Sequence, residues 1–309
     1  MRILTIDGGG ARSIVAATIL REVEQALGAP VHANVERLAG TSSGSILACA
    51  LSSGMSADDA LQAMRRLAPA VFPGTLGRLW SRVRRTPSQG LSAPRYDGRT
   101  LARALHEVFD PGLRFGDLPV PVDVPAYDVL EGTMWLLSSD REPDADMPVW
   151  EVCQASSSAP TYFPAHITQI GGHRVVLIDG GMGANNPAAV SIVRGSVITR
   201  TPLRDIRCIS VGTGTAGFSV DDATTRGAIE WARDVIPALM GASSSTHEHM
   251  AHWMLGTGNI RRLQVMLPPD RMTMDDGSRE NLATLEYLTR HRLIHAQVRM
   301  AVDLIEAAP

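Results

Sequence analysis

Short apolar runs alternate along the chain with longer stretches in which apolar residues recur every three or four positions. Arg2–Ile6 is a short run that stops at an aspartate and three glycines. Ser13–Leu27 follows with Ile14, Ala17, Leu20 and Leu27 near one face, the spacing of an amphipathic helix. Residues 35–39 lead into Gly-Thr-Ser-Ser-Gly at 40–44, and an apolar, small-residue helix, SILACALSS, comes next. Buried strands are predicted at 122–130, 133–139, 174–179 and 206–212, and helices at 57–68, 100–109, 185–195, 225–240 and 279–307. Strands separated by helices predict an α/β fold with a mainly parallel sheet covered by helices on both faces. Without an internal repeat or a low-complexity linker, residues 1–309 read as one domain, with a more variable helical region from about 220.

Composition narrows the setting. A chain of 309 residues, 44% hydrophobic, can bury a sizeable core, and a net charge of -3 argues against a general nucleic-acid binder. It has no lysine, so every positive side chain is an arginine, a bias that base composition of the coding DNA explains. Cys49, Cys153 and Cys208 are odd in number and lack CxxC spacing, so neither a disulfide framework nor a zinc ribbon is expected, and a reducing compartment is. No signal peptide or membrane-spanning run is visible, and a cytoplasmic protein is expected. Residues 73–96 stand apart, with five arginines around Trp80 and no acid. They read as a solvated loop, a lid, or a contact with an anionic membrane surface through Arg78, Arg82, Arg84 and Arg85.

The chemistry sits at the ends of the predicted strands. Three consecutive glycines each lose about 0.5–1 kcal/mol of backbone entropy in regular structure, so Gly8, Gly9 and Gly10 imply a geometry that cannot accept a Cβ. Gly40-Thr41-Ser42-Ser43-Gly44 has the G-x-S-x-G form of a nucleophile elbow, between a strand and a helix, with the helix N-terminus bringing free N–H groups beside Ser42. The glycine turn can aim N–H donors at a developing oxyanion, with Arg12 holding the turn or strengthening its field. None of the nine histidines is marked as the base of a nucleophilic serine. Asp179, at the end of a strand and followed by Gly180-Gly181, is placed to accept the Ser42 proton directly.

Together these stretches resemble the patatin-like phospholipases, a family marked by D-G-G-G-x-R, then G-x-S-x-G, then D-G-G or D-G-A. Here they are DGGGAR at 7–12, GTSSG at 40–44 and DGG at 179–181, in that order. ASSSAPTYFPA at 155–165, ANNPA at 184–188, ISVGTG at 209–214 and MDDGSRENLATL at 274–285 also look like blocks of the family. The resemblance implies a three-layer patatin-like architecture and a lipid acyl hydrolase of phospholipase A type. In it Ser42 is the nucleophile, Asp179 the base, and Gly8, Gly9, Gly10 and Arg12 the oxyanion site, with no metal or cofactor. It also implies a phospholipid substrate at a membrane surface and leaves room for a small-molecule or protein activator.

Other readings compete. An actin-like sugar kinase also opens with a DGGG phosphate loop, but Ala11 and Arg12 stand where such loops carry a hydroxyl. A Ser-His-Asp hydrolase of the α/β-hydrolase type would place more strands before its serine, and a dinucleotide-binding turn lacks its third glycine. A silent binding scaffold is the non-enzyme alternative. His247, His249 and His252 invite a zinc site without the H-E-x-x-H pattern, and Met250, Trp253 and Met254 beside them read as core or as a wall for lipid tails.

Overall fold

The computed structural model describes residues 1–73, 94–216, 227–293 and 295–307. Most of the arginine-rich stretch, including Arg78, Trp80, Arg82, Arg84 and Arg85, lies outside the described residues. Eight strands form one sheet: β1 (Arg2–Ile6), β2 (Arg37–Gly40), β3 (Val122–Asp128), β4 (Thr133–Ser138), β5 (His166–Ile170), β6 (His173–Asp179), β7 (Arg207–Val211) and β8 (Ile260–Leu263). The order is β5-β6-β3-β2-β1-β7-β8, with β4 paired to β3. β8, β7, β1, β2 and β3 run parallel, while β4, β6 and β5 add an antiparallel flank.

Helices cover both faces. One layer holds α1 (Ser13–Leu27), α2 (Ser43–Ser52), α3 (Ala57–Val71), α4 (Gly98–His106), α5 (Val149–Ser156), α9 (Arg279–Arg292) and α10 (His295–Glu306). The other holds α7 (Ala188–Thr199) and α8 (Ala228–Leu255), reached through a single turn, α6 (Gly181–Ala184). The alternation of β1 feeds both cores, with Leu4 and Ile6 in the larger one under α1 and Ile3 in the smaller one against Ile192 and Ala251. Three layers with a mostly parallel sheet is the predicted architecture. The predicted helix at 279–307 is two helices, and the one at 225–240 runs on to Leu255.

The sheet has a local peculiarity that positions everything else. β4 pairs along one edge of β3, from Asp123 to Asp128, so β2 and β6 must share the other edge. β2 is parallel to β3 and reaches Asp123 through Ala39, whereas β6 is antiparallel and reaches Ala126 through Asp179. The C-terminal tips of β2 and β6 therefore meet head to head beside Val124 and Pro125. A proline inside a strand removes one ladder donor. Leu38 N–H bonds to the carbonyl of Pro121 and Val129 N–H to that of Val176, so the odd-numbered residues of β3 face the shared edge. Pro125 thus puts its missing N–H at the gap between the two tips, where no strand would accept it.

Candidate active site

Register aligns three further turns with that gap. Ile6 of β1 lies opposite Gly40 of β2 and Val211 of β7, so the glycine turn, the elbow and the loop after β7 leave the sheet side by side. The elbow follows at once. Ser42 has φ 54° and ψ -129°, a region that costs a non-glycine residue on the order of 1–3 kcal/mol, and it caps α2 from outside the helix. Gly44 makes the tight turn possible, because a Cβ there would press on the carbonyl oxygens of Ile6 and Asp7 at 2.5 and 2.6 Å. The elbow is held by Thr41 Oγ1, which donates to the carbonyl of Ala184 at 2.7 Å, and by the N–H of Ser42, which donates to Ser156 Oγ at 2.9 Å. Ser156 in turn donates to the carbonyl of Pro125 at 2.7 Å, so one hydroxyl from α5 spans the gap between β3 and the elbow.

Across the gap, Ser42 Oγ donates to Asp179 Oδ2 at 2.7 Å, and the other carboxylate oxygen accepts the N–H of Gly181 at 2.7 Å. Both side chains are buried. Burial pushes the Asp179 carboxyl up to about 6, against the hydrogen bonds from Ser42 and Gly181, which favour its charged form. It is a carboxylate at neutral pH and accepts a proton far more readily than an exposed aspartate. The histidines found on α8 do not converge: His247 and His252 bond to carbonyls one turn back and His249 stacks on Trp253. Among the described residues no group of three or more His, Cys, Asp or Glu is arranged to hold a metal ion.

The three glycines have three different environments. Gly8 N–H donates to the carbonyl of Asn185 at 3.1 Å, and Gly9 N–H donates to Ser43 Oγ at 3.2 Å. Gly10, at φ +57°, is in the left-handed region that favours glycine, and a Cβ there would strike the carbonyl of Met274. Among the described residues its N–H has no acceptor, and it lines the same cavity as Ser42. The N–H of Ser43, at the first position of α2, has no intrahelical acceptor either. Arg12 is buried and donates to the carbonyl of Gly214 at 3.0 Å, tying the glycine turn to the loop after β7. Burial pulls its guanidinium down to about 10, opposed by the charge of Asp7, so it stays cationic at neutral pH. Asp7 itself is clamped by Arg262 of β8 through bonds of 2.8 and 2.6 Å.

Ser42 and Asp179 open into an apolar cavity between α2 and α3, walled by Ile46, Met64, Leu67, Val71, Phe163 and Met240. An aliphatic chain fits that lining, with its polar end at Ser42. The motif residues Ser42, Asp179, Gly8, Gly9, Gly10 and Arg12 are thus gathered at one end of the sheet. Ser43, Ser156, Asn185, Met274 and Arg262 complete the surroundings without having been singled out in the sequence. Ser156, Asn185 and Met274 lay in stretches that stood out as blocks, whereas nothing marked Arg262. One expectation is corrected: Trp253 is 81% exposed and Met250 41%, so neither is core, because the face of α8 that carries Ala251 and Leu255 is the one turned inward.

The chain is similar to several known proteins. The cGAMP-activated phospholipase of Vibrio cholerae is 26% identical over 92% of this chain and 88% of its own length. That of Pseudomonas aeruginosa is 28% identical over 87% and 79%. Patatin-like protein 1 of Arabidopsis thaliana is 26% identical over 97% of this chain and 83% of its own length. Among solved structures, VipD from Legionella pneumophila shares the fold with a TM-score of 0.52 at 15% identity, covering 98% of this chain and 66% of that one. The family model described as patatin-like phospholipase matches residues 4–192, more than half of the chain, with both the elbow and the strand-end aspartate inside the match. The chain belongs to the patatin-like phospholipases, a family of lipid-hydrolysing esterases.

Proposed function

We propose that this protein cleaves fatty-acyl esters of membrane phospholipids, with Ser42 as nucleophile and Asp179 as its base. The carrying observation is the 2.7 Å bond between Ser42 Oγ and Asp179 Oδ2 at the head of an apolar cavity. Asp179 takes the Ser42 proton as the oxygen attacks the ester carbonyl, and then returns it to the leaving alkoxide. An acyl-enzyme on Ser42 remains, with its chain in the cavity. Water, deprotonated by Asp179, attacks it and releases the fatty acid. The oxyanion of each tetrahedral state is stabilised by the N–H groups of Gly10 and Ser43, which have no acceptor among the described residues. Gly8, Gly9 and Arg12 act by holding the turn, with Gly9 joining as a donor when Ser43 Oγ releases it. No metal or other cofactor enters these steps.

The names of the Vibrio and Pseudomonas relatives support a small-molecule activator of the cyclic-dinucleotide class here as well. The single sheet supports treating 1–309 as one acyl-hydrolase domain. No helix among the described residues is long and apolar enough to cross a membrane. The test is lipid mass spectrometry of phospholipid vesicles incubated with the wild type and with Ser42→Ala, each with and without cyclic dinucleotides. Free fatty acid and lysophospholipid should appear only with the wild type. Equal release by Ser42→Ala would sink the reading.

A further inference from the structure

Met274, Asp275 and Gly277 belong to neither the elbow, the glycine turn nor the dyad, yet they join two walls of the cavity. On one side the carbonyl of Met274 accepts the N–H of Ala11 at 2.8 Å, directly after Gly10, and its side chain lines the cavity. On the other side the buried carboxylate of Asp275, 2% exposed, takes the guanidinium of Arg95 and, at 3.0 Å, the phenol of Tyr96. Arg95 and Tyr96 are laid along the loop after α5. Their N–H groups donate to the carbonyls of Thr161 and Tyr162 at 2.9 and 2.7 Å, and the Arg95 guanidinium lies 4.9 Å from the centre of the Tyr162 ring. Tyr96 packs against Phe72 and Phe163 with ring centres 5.5 and 5.7 Å apart, and Phe72, Tyr162 and Phe163 form the aromatic part of the cavity wall. Gly277 N–H closes the circuit on the carbonyl of Phe72 at 3.2 Å. Arg95 and Tyr96 both bond to this one buried carboxylate, so the position of the aromatic wall and that of the Met274 backbone are fixed together.

We infer that Asp275 is a positioning residue, which holds the aromatic wall of the acyl cavity at a set distance from the Gly10–Ala11 turn so that a long acyl chain seats its ester carbonyl on the free N–H groups. This rests on the acyl-hydrolase reading. Phe72, Tyr162 and Phe163 line the same cavity as Ser42, and a decanoyl chain covers more of that wall than an acetyl group does. Asp275 therefore sets chain-length preference in turnover rather than the chemistry itself.

The test measures kcat and KM on p-nitrophenyl esters from acetyl to decanoyl for the full chain, for Asp275→Asn and for Arg95→Gln, with thermal melts for each. The ratio of decanoyl to acetyl kcat should fall about tenfold in both variants, as expected for a misplaced carbonyl. The double variant should fall no further, since the two groups act as one contact. Arg95, with a side chain 47% exposed, can be changed without opening the core, and it decides the matter if Asp275→Asn does not fold. A preserved ratio, or an equal loss at every chain length, overturns the inference. Absence of any Ser42-dependent hydrolysis in the wild type would overturn the acyl-hydrolase reading and this inference with it.

Discussion

Asp123 in β3 and Asp179 at the end of β6 are both buried aspartates, close together in one sheet, in opposite surroundings. Asp123 accepts bonds from Arg37 at 2.8 Å, Ser138 at 2.7 Å and Ser191 at 2.7 Å, and Arg194 lies 3.2 Å away. Among the described residues Asp179 has one hydroxyl, one backbone N–H and no arginine. The other buried aspartates near the sheet mostly follow the first pattern, Asp7 with Arg262, Asp144 with Arg141 and Asp275 with Arg95. Asp128 lacks an arginine, but it is spent on the turn after β3, where it accepts the N–H of Leu130. A buried carboxylate with a counter-charge is structure. One without it, facing a hydroxyl and a cavity, is held ready to take up a proton.

Exchanging each aspartate for its amide is the sharpest way to break this comparison. Asp179→Asn should lower turnover by a factor on the order of 10⁴ while the protein stays folded, because the dyad fails as a unit when either member is lost. Combining it with Ser42→Ala should remove little more. Ester release with circular dichroism on the same samples checks both halves, and a histidine variant with a comparable loss would transfer the base role away from Asp179. Asp123→Asn should do the reverse. It removes one of the two carboxylates that Arg37 and Arg194 share, Asp140 being the other, and should lower stability by about 1.5–3 kcal/mol in denaturant titration, with the turnover of the folded fraction retained.

The last effect is in pH. Asp179 binds its proton more tightly when folded, at about 6 against an ordinary 3.8, so between those values the native state carries more protons than the unfolded one. Stability therefore falls as pH rises through this window, by roughly 3 kcal/mol in all, and is flat above it. The same ionisation should raise kcat/KM about tenfold per pH unit below 6, levelling above. Asp179→Asn should make the downward slope in stability shallower, the remainder belonging to Asp123, whose carboxyl burial also pushes up, and an unchanged slope would assign all of it to other groups.

The ends of strands were the most legible part of the molecule, since glycine, serine and aspartate there have few structural reasons to follow an apolar run. Ser13–Leu27 was found to the residue because its apolar period is strong and glycine ends it. β8 was missed because Ile260-Arg261-Arg262-Leu263 has neither alternation nor a continuous apolar run, and Arg262 is turned inward by Asp7 and Ser210, both distant in sequence. β5, whose two exposed positions are Ile167 and Gln169 while His166 and Thr168 lie on the other face, and α5, only eight residues long, give weak periods. The use of each N–H in the glycine turn was not legible at all. It depends on Asn185, Ser43 and Met274, brought in from distant parts of the chain.

The head-to-head meeting of β2 and β6 also fixes when Ser42 and Asp179 can first meet. Ser42 leaves the ribosome 137 residues before Asp179, a lag on the order of 10 s at ordinary synthesis rates. During that time, and in any fragment cut short between the two, Ser42 has no Asp179 beside it. The proposed dyad forms only when the second half of the sheet has closed against the first.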